Sequence, residues 1–322
     1  MSRPPVSVFL PAYNQVSFID EAIRSAVDQD YDRLEVVCGD DGSTDGTADR
    51  IRDWALRHPG RVVPVLGPHV GITANCNRIL QQCRGTYIVF HAGDDVYLPG
   101  KIRKQVEWLE EDERRVMCGH AAEAFDGVTG RALFVTTGSG ALSNGRGAAR
   151  YVERFGLFPD ISVAARRSAN PAGGYDERVG LVSCFKFYLD ILASGGEYGY
   201  VEGVLARYRL HPGSISRRSE NEPALRRAFL EGYLTALALT EANQPHLVSS
   251  CRKARAILLF SEGRRHSRHG DEAAARRYFV AAAHDDLGHV WKAAAACALA
   301  ACPEAFRRQV ETMVRRRRRQ PE

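Results

Sequence analysis

The eight cysteines of this chain form no pattern typical of a metal site or of a disulfide-rich scaffold. No CxxC pair occurs, and no cysteine and histidine stand at the spacing of zinc ligands. Most cysteines lie inside apolar segments, so we expect reduced, buried side chains. The pattern argues against a structural zinc module and against a small secreted domain held together by disulfides. The positions are 38, 76, 83, 118, 184, 251, 297 and 302.

The chain also lacks a hydrophobic segment long enough to cross a membrane. Its longest apolar run, residues 293–302, has about half the required length, and residues 1–5 do not resemble a signal peptide. We therefore expect a cytoplasmic protein. An apolar content of 44% and a charged content of 26% are typical of a soluble globular protein. A length of 322 residues predicts one large domain with a smaller appendage.

Basic residues are unevenly distributed, although the net charge is only +5. Arginine-rich segments crowd the C-terminal third and end in the run from Arg315 to Arg319. The run has none of the aromatic or glycine residues that alternate with arginine in RNA-binding tails, so we expect no nucleic-acid partner. One interpretation is peripheral contact with an anionic inner membrane face, worth about 1 kcal/mol per arginine near the surface. The other is a solvated tail.

Short apolar segments alternate with segments of helical periodicity along the first 112 residues. This alternation predicts an α/β domain whose mostly parallel sheet is covered by helices on both faces. Ser17 and Asp20 have the spacing of a capping box at the start of the first helix. The predicted strands are 6–10, 34–38, 61–66 and 87–90, and the predicted helices are 18–27, 48–57, 71–82 and 99–111.

Aspartates directly follow two of these strands. Asp94 and Asp95 stand side by side after strand 87–90, and a loop rich in Asp, Ser and Gly spans residues 39–47 after the second strand. In open α/β sheets ligands bind beyond the carboxyl ends of the strands, so we expect both loops at one edge. Asp and Gly are also ordinary turn residues. However, Mg²⁺ or Mn²⁺ takes one or two protein carboxylates and completes its shell with phosphate oxygens, so the pattern predicts a divalent-cation site.

The character of the sequence changes after residue 112 and again after residue 218. Residues 116–125 and 131–136 have the pattern of strands, 138–141 of a flexible loop and 147–155 of a short helix. This region carries no nucleotide motif, so we expect acceptor-binding residues in it. Beyond Ser219 only helical periodicity remains, with residues 263–283 typical of a helical hairpin. The predicted helices there are 223–242, 247–262, 271–284, 288–300 and 303–318.

Four successive motifs resemble those of the family 2 glycosyltransferases with the GT-A fold. They are VSVFLPAYN at 6–14, YDRLEVVCGDDGSTDGT at 31–47, GITANCN at 71–77 and GTYIVFHAGDDVYLP at 85–99. Residues 208–216, YRLHPGSIS, resemble the segment that closes the catalytic domain of that family. The resemblance covers roughly residues 5–216 in unbroken order. It implies a catalytic domain over 1–218, with a nucleotide-sugar half (1–112) and an acceptor half (113–218), before a C-terminal α-helical region (219–322).

The resemblance also implies a site for a nucleotide-sugar donor, most simply a UDP sugar. Asp40 is expected to accept a hydrogen bond from the pyrimidine N–H, since charge-assisted hydrogen bonds are strong. Loop capping is the open alternative for Asn14 and Asp41. A Mn²⁺ or Mg²⁺ ion would neutralise the leaving diphosphate as a Lewis acid. The implied donor-binding residues are Pro11, Ala12, Tyr13, Asn14, Asp40, Asp41, Asp94 and Arg209, and the implied metal ligands are Asp95 and His211.

A general base is the part of the family pattern that this chain does not match. The acceptor hydroxyl needs a base, usually a carboxylate within hydrogen-bond reach. The family places an acidic pair near the start of the helix that follows a Gly-Gly-aromatic-Asp-Glu segment, which is present here at 173–177. Cys184 stands where the base is expected, yet a thiol is mostly protonated at neutral pH. The alternatives are Asp176, Glu177 and Asp190.

The predicted function is metal-dependent transfer of a sugar to a hydroxyl acceptor in polysaccharide, glycolipid or other glycoconjugate synthesis, with the inversion that the resemblance implies. The missing base keeps one alternative open, a catalytically impaired homologue that binds nucleotide sugars. A nucleotidyltransferase fits less well, because such enzymes carry a glycine-rich, basic phosphate loop after the first strand. Residues 11–15 contain neither glycine nor a basic residue.

Overall fold

The structure is a computed structural model that describes residues 3–136 and 145–286. Several predicted features lie outside the described residues: the loop at 138–141, the helices at 288–300 and 303–318, and the arginines from Arg315 to Arg319. The strands are β1 Val6–Ala12, β2 Leu34–Asp40, β3 Val62–Leu66, β4 Tyr87–Phe90, β5 Val96–Tyr97, β6 Arg115–Asp126, β7 Ala132–Thr136, β8 Gly145–Arg146, β9 Ala164–Arg166 and β10 Glu197–Leu210.

The α-helices cover nearly all the helical segments predicted within the described residues. Short 3-10 helices occur at Asp160–Ser162, Arg167–Ala169, Glu177–Val182 and Pro245–Leu247. The α-helices are α1 Ile19–Val27, α2 Thr47–Arg57, α3 Ile72–Gln82, α4 Lys101–Glu110, α5 Ala148–Glu153, α6 Ser183–Ala193, α7 Ile215–Asn221, α8 Pro223–Asn243, α9 Val248–Arg268 and α10 Glu272–Asp285.

The described strands form one ten-stranded sheet with the order β3-β2-β1-β4-β9-β6-β10-β5, to which β7 and β8 are added at the side. The first four strands in this order are parallel, as predicted, and β6 and β10 are also parallel. In the register, Ala12 is opposite Asp40 and Phe9 is opposite Phe90. The carboxyl ends of β1, β2 and β4 therefore meet at one edge, where the predicted site loops follow them.

Strand β10 was not predicted, and it completes the far side of the sheet. It pairs in parallel with β6 and antiparallel with the two-residue strand β5, which follows Asp95 directly. Gly199 and Gly203 lie within β10, and its register shifts between Tyr200 and Ala206. Both features interrupt the alternation of side chains, so periodicity in the sequence does not predict this strand. Because β10 pairs with β5, the last residues of β10 and the following His211 lie beside the loop that carries Asp94.

Helix α1 shows one wrong prediction about helix capping. The helix begins at Ile19, and no side chain caps its first turn. Asp20 instead accepts a hydrogen bond from Trp54 Nε1 of helix α2 at 2.8 Å. The predicted Ser17–Asp20 capping box is therefore wrong, because Asp20 bonds a tertiary partner in place of its own backbone. The apolar face of α1 packs on the sheet, with Ile19, Ala22, Ile23 and Ala26 fully buried.

The chain divides into two compact units, Met1–Ala236 and Leu237–Glu322, and the division falls within helix α8. The predicted domain boundary at residue 218 stays a prediction. In the second unit α9 and α10 form the predicted hairpin, where a Cβ at Gly263 would lie 2.6 Å from the Phe279 ring. Arg255 pairs with Glu241 at 3.0 Å and with Asp285 at 2.8 Å. None of the helices in the described ranges is long and apolar enough to cross a membrane.

Six of the eight cysteines lie in the described residues, and all six are free thiols. Five are buried and Cys184 is half-buried. This confirms the predicted reduced, packed state for the six that can be examined. Burial raises the pKa of the Cys76 and Cys83 thiols to about 12, as expected for inert core residues.

Candidate active site

Asp40 ends strand β2 and has one carboxylate oxygen without a partner. Its Oδ2 accepts a hydrogen bond from Ser43 N at 2.9 Å. Its Oδ1 is buried and has no hydrogen-bond partner in the described part of the chain. A buried acceptor that lacks a donor costs about 1–3 kcal/mol, more when it is charged, so such an atom in a native protein calls for an explanation. A ligand N–H that bonds to Oδ1 would remove this cost.

Tyr13 and Asn14 lie in the loop after β1, next to Asp40. The Tyr13 side chain is 47% exposed, and its ring stacks on His69 with centroids 4.7 Å apart. Asn14 adopts a positive φ of 50°. Its N–H donates to Ser43 Oγ at 2.8 Å, and its Oδ1 accepts from Thr44 N at 2.9 Å. Asn14 thus ties the loop after β1 to the loop after β2, while Tyr13 offers an accessible ring face.

Asp41 bonds to protein donors through both carboxylate oxygens. It accepts hydrogen bonds from Val70 N at 2.8 Å and from Gly71 N at 3.0 Å. Arg78 Nη2 donates to the same carboxylate at 3.1 Å. These contacts match the loop-capping alternative, because Asp41 stabilises the residues that lead directly into helix α3.

Helix α3 carries three polar residues whose role the sequence did not reveal. Asn75 Nδ2 donates to the Gly39 carbonyl of β2 at 3.1 Å, and Thr73 Oγ1 donates to the Gly180 carbonyl at 3.1 Å. Asn77 makes two hydrogen bonds with the Tyr175 backbone, at 2.9 and 2.7 Å. The motif at 71–77 therefore joins the Asp40 loop to the segment that contains the predicted base position. In the sequence, the feature that could have drawn attention to these residues is the recurrence of a polar side chain at every second position, 73, 75 and 77.

The structure brings Asp94, Asp95, Arg209 and His211 together, as the resemblance implied. His211 Nε2 lies 3.1 Å from Asp94 Oδ2. Arg209 N donates to Asp95 Oδ1 at 2.8 Å, and Arg209 Nε donates to the Asp94 carbonyl at 2.6 Å. Burial, together with the neighbouring Asp94 charge, raises the pKa of Asp95 well above its ordinary value. Two carboxylates are thus held close together, at the expense of the ionisation of Asp95.

Glu21 of helix α1 also contributes to this cluster, although nothing in its sequence context identified it. Its carboxylate pairs with Arg209 Nη2 at 2.5 Å. The Arg209 guanidinium also lies over the Phe18 ring at 4.9 Å and the Phe125 ring at 4.6 Å. Arg209 is thereby held in one orientation, in which its backbone and side chain position both aspartates.

The cluster fits a divalent cation that brings its own ligands. No group of three or more His, Cys, Asp and Glu side chains within the described ranges is arranged to hold a metal. Mg²⁺ and Mn²⁺ nevertheless take only one or two protein carboxylates when phosphate oxygens and water complete the shell. Burial and the Asp94 charge together raise the pKa of Asp95, and a bound cation would offset both by stabilising the ionised carboxylate. Asp95 and His211 remain the predicted ligands.

The four predicted candidates for a general base are poorly suited to the task. Burial, with the Asp160 charge, raises the pKa of the Cys184 thiol well above its ordinary value, so it stays protonated. Asp176 forms an ion pair with Arg178 at 2.6 Å, which lowers its pKa. Asp190 pairs with Lys186 at 2.5 Å. Glu177 is exposed at the start of a 3-10 helix.

Comparison with proteins of known structure shows the fold. TarS of Staphylococcus aureus, as a fragment of residues 1–349, superposes with a TM-score of 0.63 at 16% identity, over 86% of this chain and 81% of that one. The mannosyltransferase PcManGT of Pyrobaculum calidifontis, solved with GDP-Man and Mn²⁺, superposes with a TM-score of 0.56 at 20% identity, over 97% of this chain and 84% of the other. The architecture is therefore that of the GT-A glycosyltransferases.

Sequence comparison gives a family match for the N-terminal half of the chain. Residues 7–163 match the family described as glycosyl transferase family 2. An uncharacterized protein of Mycobacterium tuberculosis is 29% identical over 259 residues, which are 79% of this chain and 71% of that protein. TuaG of Bacillus subtilis, named as a teichuronic acid biosynthesis glycosyltransferase, is 32% identical over 109 residues, 34% of this chain and 43% of TuaG. Residues 7–163 are therefore similar to the family 2 glycosyltransferases, which supports the predicted resemblance over this part of the chain.

Proposed function

We propose that this glycosyltransferase moves a sugar from a UDP donor to a hydroxyl acceptor, with a divalent cation at Asp95. The observation that carries the proposal is the meeting of two features at one sheet edge. One is the unpaired Oδ1 of Asp40, and the other is the cluster in which His211 lies 3.1 Å from Asp94. The first suits a base N–H, and the second suits a cation with a diphosphate. Individual donor contacts stay predictions.

The number of free acceptor atoms at Asp40 favours uracil over guanine. Uracil presents one ring N–H, whereas guanine presents a ring N–H and an amino group side by side. Because Ser43 N already occupies Oδ2, Asp40 has only Oδ1 left for the base. The accessible Tyr13 ring provides a stacking surface beside it. A solved complex of TarS contains UDP-GlcNAc, which supports the same choice without deciding the sugar.

The residues of the cluster have separate tasks in this mechanism. When bound, the cation supplies a positive charge that offsets the charge developing on the leaving diphosphate. Asp94 and Asp95 are kept in place by Arg209, whose own charge is balanced by Glu21. His211, whose Nε2 lies 3.1 Å from Asp94 Oδ2, is the proposed second ligand of the cation beside Asp95. Transfer with inversion would then need one base on the acceptor side.

The acceptor is proposed to be a saccharide or glycolipid in the synthesis of a polysaccharide or glycoconjugate. The name of TuaG supports this class of pathway. A cytoplasmic location, with peripheral contact to the inner membrane face through Arg315 to Arg319, also stays a proposal.

Binding and turnover experiments separate this proposal from its main alternative. Calorimetry with UDP, GDP and CDP, each with and without Mn²⁺, should give the tightest binding for UDP with Mn²⁺. UDP release from UDP-sugars then measures turnover. Retained UDP binding with no turnover for any donor and acceptor would favour the impaired nucleotide-sugar binder. Tighter binding of GDP than of UDP would contradict the role assigned to Asp40.

A further inference from the structure

Asp160 lies at the same edge of the sheet as the proposed donor site. It begins the short 3-10 helix Asp160–Ser162, which leads into strand β9. Strand β9 runs antiparallel to β4, and Phe90 N at the end of β4 donates to the Val163 carbonyl at 3.0 Å. The residues just before β9 therefore lie beyond the carboxyl end of β4, which is the end that leads to Asp94 and Asp95.

The Asp160 carboxylate is accessible to solvent but surrounded by protein. The residue is exposed, yet desolvation raises its pKa from 3.8 to about 6. The Asp160 carboxylate is therefore accessible, yet enough protein lies around it to disfavour its charged form. The carboxylate has no hydrogen-bond or ion-pair partner within residues 3–136 and 145–286. In contrast, Asp176 and Asp190 are both paired with basic side chains.

The charge of Asp160 reaches both the metal cluster and the predicted base position. It is the second contribution, after burial, to the raised pKa of Cys184, and it also contributes to that of Asp95. Asp160 thus lies close enough to both Asp95 and Cys184 for its charge to act on each of them. The titratable groups within reach of its charge are Cys76, Asp95, Tyr151, Tyr175, Cys184, Tyr188 and Tyr233.

We propose that Asp160 is the general base of the transfer reaction and takes the place of the carboxylate that Cys184 lacks. The assignment rests on the proposed function. The acceptor O–H bond breaks and its proton passes to an Asp160 oxygen, while the acceptor oxygen forms a bond to the anomeric carbon. The bond from that carbon to the diphosphate breaks, and its electron pair leaves on the UDP. Solvent takes the proton from Asp160 after product release.

The test compares Asp160→Asn and Asp160→Glu with two further variants. Asp53→Asn makes the same change at an exposed position on helix α2, and Glu177→Gln tests the remaining exposed candidate. UDP release is measured with Mn²⁺ from UDP-N-acetylglucosamine, UDP-glucose and UDP-galactose, with water and then p-nitrophenyl glycosides as acceptors. Calorimetry with UDP and Mn²⁺ measures donor binding separately.

Asp160→Asn should lower kcat by at least about 100-fold, since a positioned base contributes 10²–10⁴-fold, while its Kd for UDP stays within about twofold. Asp160→Glu should have a kcat between those of Asp160→Asn and the native enzyme, and Asp53→Asn should have the native kcat. In the native enzyme kcat should rise with increasing pH as Asp160 loses its proton, with a midpoint near its pKa of about 6. The pH profile of Asp160→Asn should lack this rise.

Thermal unfolding separates a base from a structural residue. Because the Asp160 carboxylate is desolvated and has no partner within residues 3–136 and 145–286, Asp160→Asn should keep or raise the Tm at pH 7, whereas loss of a structural contact would lower it. Undiminished turnover in Asp160→Asn, or a comparable loss in Glu177→Gln alone, would overturn the assignment. Absence of UDP binding and of turnover in the native enzyme would overturn the proposed function, and the base assignment with it.

Discussion

The donor-side loops (11–14, 40–47 and 94–95) and the acceptor-side segments (160–162 and 173–184) differ in how their polar groups are used. On the donor side Asn14 and Asp41 bond to neighbouring loops, and one Asp40 oxygen has no partner among the described residues. On the acceptor side the thiol of Cys184 is kept protonated by burial, and the Asp160 carboxylate has no partner in the described part of the chain.

The difference reflects what each side is proposed to bind. A nucleoside diphosphate has the same base edge and the same phosphates whatever sugar it carries, so one arrangement of loops serves every donor. An acceptor changes from one enzyme to another, and the segments that contact it are free to differ. The donor side therefore resembles the family closely, while the acceptor side departs from it at Cys184.

The largest effect is expected for Asp95→Ala. Loss of the cation's protein ligand should reduce UDP release on the order of 10³-fold, since a metal ion supplies several kcal/mol of transition-state stabilisation. It should also abolish the effect of Mn²⁺ on UDP affinity. UDP release and calorimetry with and without Mn²⁺ check this, with Asp53→Asn as the control. Unchanged Mn²⁺ dependence would remove Asp95 from the metal site.

The next effect concerns the base edge of the donor. Asp40→Asn keeps the shape of the side chain, but with its carbonyl on Ser43 N it would present an amide N–H in place of Oδ1. Loss of a charge-assisted hydrogen bond, worth about 1.5–3 kcal/mol, should weaken UDP binding about 10-fold to 150-fold.

The same substitution should shift preference toward CDP, because N3 of cytosine is an acceptor. Calorimetry with UDP and CDP measures both effects. An equal loss for the two nucleotides would indicate damage to the loop, and no loss for either would remove Asp40 from the base contact.

A smaller effect is expected at the connection between the two sides. Asn77→Ala removes both hydrogen bonds to the Tyr175 backbone and should cost about 2 kcal/mol of stability. At about 2–4 °C per kcal/mol, the Tm should fall by about 4–8 °C, with little change in UDP affinity at 25 °C. Gln82→Ala, an exposed change on the same helix, is the control. An equal fall in both variants would mean that the Asn77 bonds contribute nothing specific.

The smallest effect is expected for Glu21→Gln. The Glu21 side chain is 54% exposed, so its pair with Arg209 should contribute less than about 1 kcal/mol to stability. The Tm should change little, whereas kcat should fall measurably. The reason is that Glu21 orients Arg209, and Arg209 in turn positions Asp94 and Asp95. Paired measurements of kcat and Tm check this, and a large loss of Tm with unchanged kcat would give Glu21 a purely structural role.

Much of the donor side could be predicted because its signals are local. The parallel strands follow from apolar runs separated by helical periods. Asp40 ends β2, and Asp94 and Asp95 lie in the short loop after β4. The outcome for Asp20 shows the limit of local signals, because a tertiary hydrogen bond to Trp54 replaced the expected cap.

The sequence by itself determined the alternation of strands and helices, the edge at which the acidic loops meet and the resemblance to the family 2 glycosyltransferases. Only the tertiary structure decided that β10 carries Arg209 to Asp95, that Glu21 pairs with a residue 188 positions away, and that Asp160 lies near Cys184. These relations depend on strand pairing and on packing between segments far apart in the chain. Periodicity and capping are properties of neighbouring residues, and they contain no information about which distant segment will lie beside them.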